Sequence, residues 1–202
     1  MDTTLLAQAT DAPRLPTTIS PSQLGGAKAL SGDDGLDEDA ALARGHLLHL
    51  LLENLPTAAR ADWPAMASAI ITDPADCAIL LAEASAVLGS PALAHVFAPG
   101  TMAEVPLTAE LGGRRLSGAI DRLIITPTYI LAVDYKSNHT IPINASAVPE
   151  GLLRQMGAYA HALAQIYPQH QIDTAILWTT TAHLMPLDRD IVREALLRAT
   201  IP

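Results

Sequence analysis

Residues 114–137 read RRLSGAIDRLIITPTYILAVDYKS, and this stretch decides the fold. It contains two segments rich in Ile, Leu and Val, and the turn signal Pro127-Thr128 separates them. Apolar, β-branched segments on either side of a turn are typical of an antiparallel pair of strands. A third β-like segment ends at Gly112-Gly113, just before this stretch. The sequence therefore predicts a meander of three strands at residues 101–111, 114–126 and 128–137.

Helical patterns lie on both sides of the meander. Before it, segments rich in leucine and alanine predict helices at residues 37–54, 62–72 and 74–89. After it, the sequence predicts helices at 150–166 and 188–199 and strands at 172–180 and 183–187. This order indicates an α/β fold, with a central mixed β-sheet flanked by helices and an N-terminal helical region.

A chain of 202 residues is usually a single domain. Residues 1–36 are rich in Thr, Pro, Ser, Gly and Asp with little periodicity, so we expect a flexible linker or tail. Within it, Ser20-Pro21-Ser22 signals a short helix near residues 20–30. We expect one domain at 37–202, with a helical part at 37–96 and a core at 100–202.

Composition excludes several classes of protein. The single cysteine, Cys77, rules out an internal disulfide framework, a four-cysteine zinc site and an iron–sulfur cluster. The longest apolar runs are far shorter than the roughly 18 residues of a membrane span, and no secretory-signal pattern is visible. We therefore expect a soluble, cytoplasmic protein without membrane contact.

The charge of the chain limits how it could bind nucleic acid. A net charge of −9 argues against a broad electrostatic surface for DNA, which usually requires a basic patch. Of the twelve basic residues, only Lys28 and Lys136 are lysine. A lysine offers a compact ammonium rather than the planar fork of arginine, which suits a position beside a metal or a phosphate.

Asp134 and Lys136 follow four apolar residues at the end of the third predicted strand. Side chains two apart in a strand share a face, so these two should emerge together while Tyr135 faces the other way. A charge pair after an apolar run is costly unless a metal, a partner or water compensates it. A plain surface salt bridge at the strand end is the alternative.

Asp121 lies in the middle of the preceding predicted strand, among apolar neighbours. The predicted hairpin brings it near Asp134, and two neighbouring carboxylates repel each other unless a cation lies between them. Hard oxygen ligands suit Mg²⁺ or Mn²⁺, so the pair indicates a divalent metal site. Pairing of Asp121 with Arg114, Arg115 or Arg122 is the alternative.

Gly118-Ala119-Ile120-Asp121, followed after twelve residues by Asp134-Tyr135-Lys136, resembles the active-site motif of PD-(D/E)XK nucleases of the RecB-like type. Gln155 and Tyr159 resemble the Q-x-x-x-Y motif of that branch. Further similarities lie at Gly45-His46, Glu104-Val105-Pro106 and Ser20-Pro21-Ser22. The resemblance covers about residues 18–188 and extends to the C-terminal nuclease domains of AddA subunits in bacterial AddAB helicase–nucleases.

The resemblance implies a role for each matching residue. Asp121 and Asp134 would bind the metal ion, Mg²⁺ with Mn²⁺ as a possible substitute, and His46 would be a further ligand. Lys136 would position or activate the attacking water. Glu104 would support the site from the first strand.

Three further residues need separate weighing. Gln155 and Tyr159 are four residues apart on a predicted helix and so share a face, and the family places such residues beside the active site and DNA. The alternatives are that Gln155 only caps a hydrogen-bond network and that Tyr159 belongs to the core. Glu110 is a near competitor of Glu104 for its role, and a glutamate at a strand edge is in any case usually just solvated.

A helical pattern H-x-x-H-x-x-x-E joins His46, His49 and Glu53. Zinc-binding helices usually place their two histidines four residues apart, so a separate zinc site is not favoured. We interpret His49 as structural or exposed, together with the remaining histidines His95, His139, His161, His170 and His183.

The function that the resemblance implies is a metal-dependent DNA exonuclease domain within an ATP-dependent helicase–nuclease that processes double-strand breaks for recombinational repair. No Walker A pattern occurs in the chain, so the motor would lie on other sequence. The implied partners are single-stranded DNA, helicase domains of the same parent chain and an AddB-like subunit. The implied location is the bacterial cytoplasm.

Two alternatives to this function remain. A RecB-like fold without catalysis could bind DNA ends or dock a subunit, but such scaffolds tend to lose Asp121, Asp134 or Lys136, and all three are present. An independent nuclease of the CRISPR-associated RecB-like group typically carries a cysteine cluster, which one cysteine cannot supply.

Overall fold

A computed structural model describes residues 18–28 and 38–199 of the chain. The strands are β1 Thr18–Ile19, β2 Met102–Leu111, β3 Arg114–Ile125, β4 Tyr129–Lys136, β5 Gln171–Trp178 and β6 His183–Leu187. The helices are α1 Glu38–Asn54, α2 Trp63–Ile70, α3 Pro74–Gly89, α4 Glu150–Ile166 and α5 Arg189–Leu197. The predicted α/β fold with helices at its start is confirmed, and the predicted meander matches β2, β3 and β4.

The six described strands form one mixed sheet, in which β3 pairs with three of the others. Its antiparallel partner β2 runs along one edge from Met102 to Leu111. The other edge is shared, because β1 pairs in parallel at the start of β3 and β4 pairs antiparallel at its end. The sheet continues through β5, parallel to β4, and finishes with β6, antiparallel to β5. Within the described residues, β2 and β6 therefore have a partner on one side only, and so does the two-residue strand β1.

Alternation along β4 and β5 divides the core into two layers. Leu131 and Val133 point to the face covered by α1, α2 and α3, where Leu48, Leu51 and Leu52 are fully buried. Ile130 and Ala132 point to the opposite face, which α4 and α5 cover. Both faces being buried explains why the sequence of β4 is a continuous apolar run rather than an alternating one.

Capping aspartates define where two of the helices begin. Asp73 accepts hydrogen bonds from the backbone N–H groups of Ala75 and Asp76 at the start of α3, both at 2.9 Å. Asp188 does the same at the start of α5. Such caps satisfy backbone donors that have no partner within the helix.

Among the described helices, none combines the length and the apolarity needed to cross a bilayer.

The described part of the expected linker, residues 18–28, packs against the domain. Ile19 and Leu24 are buried in the α4 layer. A short 3-10 helix, Pro21–Gln23, follows β1. The Pro21 ring lies against Gly118 of β3, where an added Cβ would come within 2.8 Å of it. The remainder of the expected linker, at 1–17 and 29–37, lies outside the described residues.

Gly157 marks the closest approach of α4 to α5. A Cβ built on Gly157 would lie 2.3 Å from the backbone oxygen of Val192, so α5 would have to move. We predict that Gly157→Ala destabilises the fold by about 1–3 kcal/mol, the usual cost of overpacking. The measurement is urea unfolding followed by circular dichroism.

Gly89→Ala at the end of α3 is the matched control for this substitution. An added Cβ there meets only the flexible end of Arg60, at 3.3 Å. Its stability should equal or slightly exceed that of the wild type, because alanine favours helix over glycine. Equal stability of Gly157→Ala and the wild type would contradict the described contact.

Candidate active site

The candidate site lies where β3 and β4 separate. The backbone pairing of these two strands ends at Arg122 and Val133. Beyond this pair, side chains form the hydrogen bonds to the backbone of each strand. The Asp121 carboxylate accepts the backbone N–H of Tyr135 at 2.6 Å. Tyr159 of α4 donates its hydroxyl to the backbone oxygen of Ala119 at 2.7 Å. The fork between the two strands therefore has its backbone groups satisfied by functional side chains.

Three ligand-type side chains converge at the fork: His49, Glu104 and Asp121. One ligand atom from each lies within 4.8 Å of the others. His49 Nδ1 is 3.4 Å from Asp121 Oδ1. Its ring also contacts the Tyr135 ring edge to face, with centroids 5.4 Å apart. The helical layer thus supplies an imidazole to a carboxylate of the sheet.

Glu104 reaches the cluster from β2 through an unusual backbone. The pairs Ala103–Arg122 and Val105–Ile120 flank Glu104 and Asp121, which therefore lie at the same level of the β2–β3 ladder. Glu104 has φ of +48°, in the left-handed region that non-glycine residues rarely adopt. Backbone strain of this kind costs about 1–3 kcal/mol and clusters at functional sites.

The cluster brings two carboxylates close to one imidazole, and this arrangement shifts the pKa values of Glu104 and His49. Burial and the nearby Asp121 charge raise the pKa of Glu104 above its ordinary value. Burial lowers the pKa of His49, but its hydrogen bond to Asp121 and the carboxylate charges outweigh burial, so the net shift is upward. Two carboxylates and an imidazole in this arrangement are a suitable ligand set for a divalent cation. The donor set therefore fits the metal that the sequence predicts.

The Asp134–Lys136 pair lies next to this cluster, on the α4 side. Asp134 is 3% exposed and forms an ion pair with Lys136 Nζ. Gln155 Nε2 donates to Asp134 Oδ1 at 2.6 Å and to the Tyr159 hydroxyl at 3.1 Å. A continuous set of hydrogen bonds thus runs from Asp134 through Gln155 and Tyr159 to the backbone of β3.

Burial acts in opposite directions on the pKa of an acid and of a lysine in this network. Burial raises the pKa of Asp134. Burial lowers the pKa of Lys136, but the charges of Asp134 and Asp121 outweigh it and raise the net value. Burial also raises the pKa of Tyr159, so its hydroxyl keeps the proton it donates to β3. Lys136 is therefore a firmly charged ammonium, 22% exposed, beside the fork.

A second set of contacts holds the end of β4 through the backbone oxygen of Lys136. The Thr179 hydroxyl donates to Glu83 Oε1 at 2.6 Å and lies 3.2 Å from the backbone oxygen of Lys136. Glu83 in turn forms an ion pair with Arg44 of α1. Thr179 is 1% exposed. Sequence reasoning missed these residues, because their partners are far away along the chain.

The predicted arrangement of Asp134, Tyr135 and Lys136 is confirmed by the geometry. Asp134 and Lys136 share a face and pair with each other. Tyr135 points to the opposite face, where its hydroxyl accepts a hydrogen bond from Arg122 Nε at 3.2 Å. Arg122 also donates to the Leu52 backbone oxygen. The alternative pairing of Asp121 with Arg122 is therefore not observed.

The interpretation of His49 as structural or exposed needs correction. His49 is half-buried and pairs with Asp121, whereas His46 is exposed and only lines the same pocket. Gly45 shows which face of α1 is turned toward the end of β4, because a Cβ built on it would lie 3.5 Å from the Ser137 hydroxyl, an ordinary contact distance. His49 is four residues after Gly45 and so shares the face of α1 turned toward β4. That spacing was the signal available in the sequence.

Glu104, rather than its competitor Glu110, belongs to the cluster. Glu110 pairs with Arg115 in the ladder, and its backbone oxygen accepts a hydrogen bond from Gln165 of α4. The cluster pocket as a whole is lined by His46, His49, Leu50, Glu53, Glu104 and Asp121.

A larger cavity of about 780 Å³ lies away from this chemistry, where β4 and β5 begin. Its lining includes Tyr129 and the ion pair of Asp173 with Arg189. Within 18–28 and 38–199, however, the group of three metal-ligating side chains is at the fork. The smaller pocket is therefore the better candidate for the active site.

Comparison with solved structures identifies similar folds. A protein from Eubacterium rectale described as a "putative exonuclease" matches with a TM-score of 0.55 at 14% identity, over 82% of this chain. The chain spans 65% of the length of that protein. A second structure, SSO0001, matches at 15% identity over 77% of this chain and 76% of its own, with a TM-score of 0.29 that supports no inference. No curated protein matches the sequence.

Comparison with protein families is more decisive. Residues 27–198 match the model of the PD-(D/E)XK nuclease superfamily. The match includes both strands of the fork and every residue of the site just described. Because it spans most of the sequence, the chain belongs to the PD-(D/E)XK nuclease superfamily.

Proposed function

We propose that the chain is a metal-dependent deoxyribonuclease domain that hydrolyses phosphodiester bonds. The observation that carries this proposal is the juxtaposition at the fork of a three-ligand cluster with a charged lysine. His49, Glu104 and Asp121 supply the cluster, and Lys136 supplies the ammonium. Membership of a nuclease superfamily supports the same reaction class.

We propose His49, Glu104 and Asp121 as the residues that would hold the metal, with Mg²⁺ as the natural ion and Mn²⁺ as a substitute. Asp134 is a fourth candidate, because the motif resemblance gives it this role and it lies on β4 at the fork. His46, the histidine expected from the sequence, lines the same pocket. A bound divalent ion would supply a Lewis acid that stabilises negative charge developing on the phosphate.

The chain's own residues would do the remaining work. Lys136 places its ammonium where it can orient a water or donate to a phosphate oxygen. Asp134 holds that ammonium, and Gln155 holds the Asp134 carboxylate through Oδ1. Tyr159 fixes Gln155 to β3, so Gln155 and Tyr159 act as positioning residues beside the path of the DNA.

We further propose that the domain is the exonuclease of a bacterial, cytoplasmic helicase–nuclease of the AddAB type that processes double-strand breaks for recombinational repair. The motif resemblance supports this context. The net charge of −9 also supports it, because such a chain would rely on attached helicase domains and an AddB-like subunit to hold the DNA. In that setting 37–202 would be the nuclease domain and residues 1–36 its connection to the helicase, with segment 18–28 of that connection packed on the domain.

Metal binding should be visible as a gain in stability. A ligand that binds only the folded state stabilises it by about 2.7 kcal/mol at a hundredfold excess over its dissociation constant. We predict that the melting temperature rises with Mn²⁺ in the wild type and stays constant in Asp121→Asn. Asparagine retains an oxygen acceptor for the Tyr135 N–H, so the variant should fold.

Asp190→Asn is the matched control, because Asp190 is an exposed acid paired with Arg193 on α5. Its melting temperature should rise with Mn²⁺ as in the wild type. A wild-type melting temperature that does not change up to millimolar Mn²⁺ would contradict the metal site.

The two histidines of α1 provide a paired test of the ligand set. We predict that His49→Ala weakens Mn²⁺ binding at least about tenfold, because even residues behind metal ligands contribute that much. His46→Ala should weaken binding much less, since His46 lies outside the three-ligand cluster. Titration calorimetry measures both, and the opposite order of the two variants would restore His46 as the ligand.

Cleavage tests the proposed reaction directly. We predict that the wild type degrades linear single-stranded DNA only when Mg²⁺ is added. Lys136→Met, which keeps the aliphatic stem, should reduce turnover about 10²-fold or more, because it removes a donor that stabilises charge in the transition state. Its Mn²⁺ affinity should be largely retained, since an ammonium is not a metal ligand.

A circular single strand of the same sequence is the matched substrate for this assay. An exonuclease needs an end, so the circle should resist degradation under conditions that consume the linear form. Rapid cleavage of the circle would replace the exonuclease assignment with an endonuclease one. Equal turnover by Lys136→Met and the wild type would contradict the assigned site.

A further inference from the structure

Both lysines of this chain lie beside the candidate active site, Lys136 at the end of β4 and Lys28 against the first turn of α4. Ten of its twelve basic residues are arginine, and Lys28 and Lys136 are far apart in the sequence. The charges of Lys136 and Asp134 nevertheless act on Lys28. Partial burial and the positive charge of Lys136 lower the pKa of Lys28, and Asp134 partly offsets them.

Contacts with the first turn of α4 place Lys28 at this position. The Gly151 N–H donates to the Ala27 backbone oxygen at 2.8 Å. The stem of Lys28 crosses Gly151 so closely that an added Cβ would lie 2.9 Å from Lys28 Cγ. Lys28 Nζ donates to the backbone oxygen of Ser22. The segment 18–28 therefore presents an exposed ammonium one turn of α4 before Gln155.

Arginines near the site are already engaged elsewhere. Arg122 donates to Leu52 and Tyr135 within the core. Arg154 donates to the Leu24 backbone oxygen and pairs with Glu150. Among the described residues, Lys28 and Lys136 are thus the cations near the fork whose charged group is an ammonium.

We propose that Lys28 binds a backbone phosphate of the DNA strand, next to the phosphate that is hydrolysed, so that segment 18–28 forms one wall of the strand path. This inference rests on the proposed nuclease function. Two neighbouring ammonium groups repel each other, and a phosphate between them removes that repulsion. In a chain of net charge −9, the two ammonium groups also create a local positive potential that attracts an anionic strand.

The test is fluorescence anisotropy of a labelled single-stranded oligonucleotide across a KCl series, with Ca²⁺ present. We expect Lys28→Ala to weaken binding about two- to fivefold, the range for an exposed ion pair. The slope of log affinity against log salt should decrease by about 0.7, as expected for one single-strand phosphate contact. In the cleavage assay with Mg²⁺, KM should rise by a similar factor while kcat changes less than about twofold.

Two variants serve as controls. Lys28→Arg keeps the charge and should bind as the wild type does. Arg193→Ala removes one exposed charge from α5, away from the fork, and should leave both affinity and salt slope unchanged. An equal loss in Lys28→Arg would assign the effect to packing of the segment and overturn the proposal.

The wild-type curve separates the two hypotheses. Binding and Mg²⁺-dependent cleavage by the wild type, with identical affinity and salt slope in Lys28→Ala, would overturn the role of Lys28 and leave the nuclease function intact. No binding and no cleavage of any DNA by the wild type would overturn the nuclease function, and the role of Lys28 with it.

Discussion

The separation of β3 from β4 after Arg122 and Val133 is the constraint on which the rest of the structure depends. Two adjacent strands that part within a core leave backbone donors and acceptors without partners, which is costly when they are buried. Here Asp121 accepts the Tyr135 N–H and Tyr159 donates to the Ala119 oxygen. The side chains that satisfy the backbone at the fork are also residues of the candidate site, so the fold and the site depend on the same hydrogen bonds.

Buried charge at the fork is tolerated because each charged group has a specific partner. Asp134 has Lys136 and Gln155, and Arg122 has Leu52 and Tyr135. Breaking one such pair would leave an uncompensated charge, which typically costs 3–5 kcal/mol. Asp134 therefore contributes to the stability of the fold as well as to the site. Stability and chemistry are coupled at this residue, and an isosteric amide separates them better than alanine does.

Residues whose position depends on local periodicity could be predicted from the sequence. The alternation of Asp134, Tyr135 and Lys136 follows from the two-residue repeat of a strand, and the shared face of Gln155 and Tyr159 follows from helix geometry. The role of His49 was missed, because helical spacing gives only its face of α1, whereas the packing of α1 on the sheet brings its imidazole 3.4 Å from the Asp121 carboxylate. The packing of segment 18–28 was missed for the same reason. Its glycine contacts with α4 join residues that are distant in the chain, and its composition alone suggests a linker.

The outer strands of the sheet also affect how copies of the chain meet one another. An exposed strand edge is a template for pairing with a second molecule, and proteins block it with proline, which lacks an N–H donor. Of the described strands that have a single partner, the two longer ones each carry a proline, Pro106 in β2 and Pro186 in β6. Each interrupts the row of donors that an incoming strand would need. Aggregation by sheet extension is therefore disfavoured at both of these strands, even though half of the residues are hydrophobic.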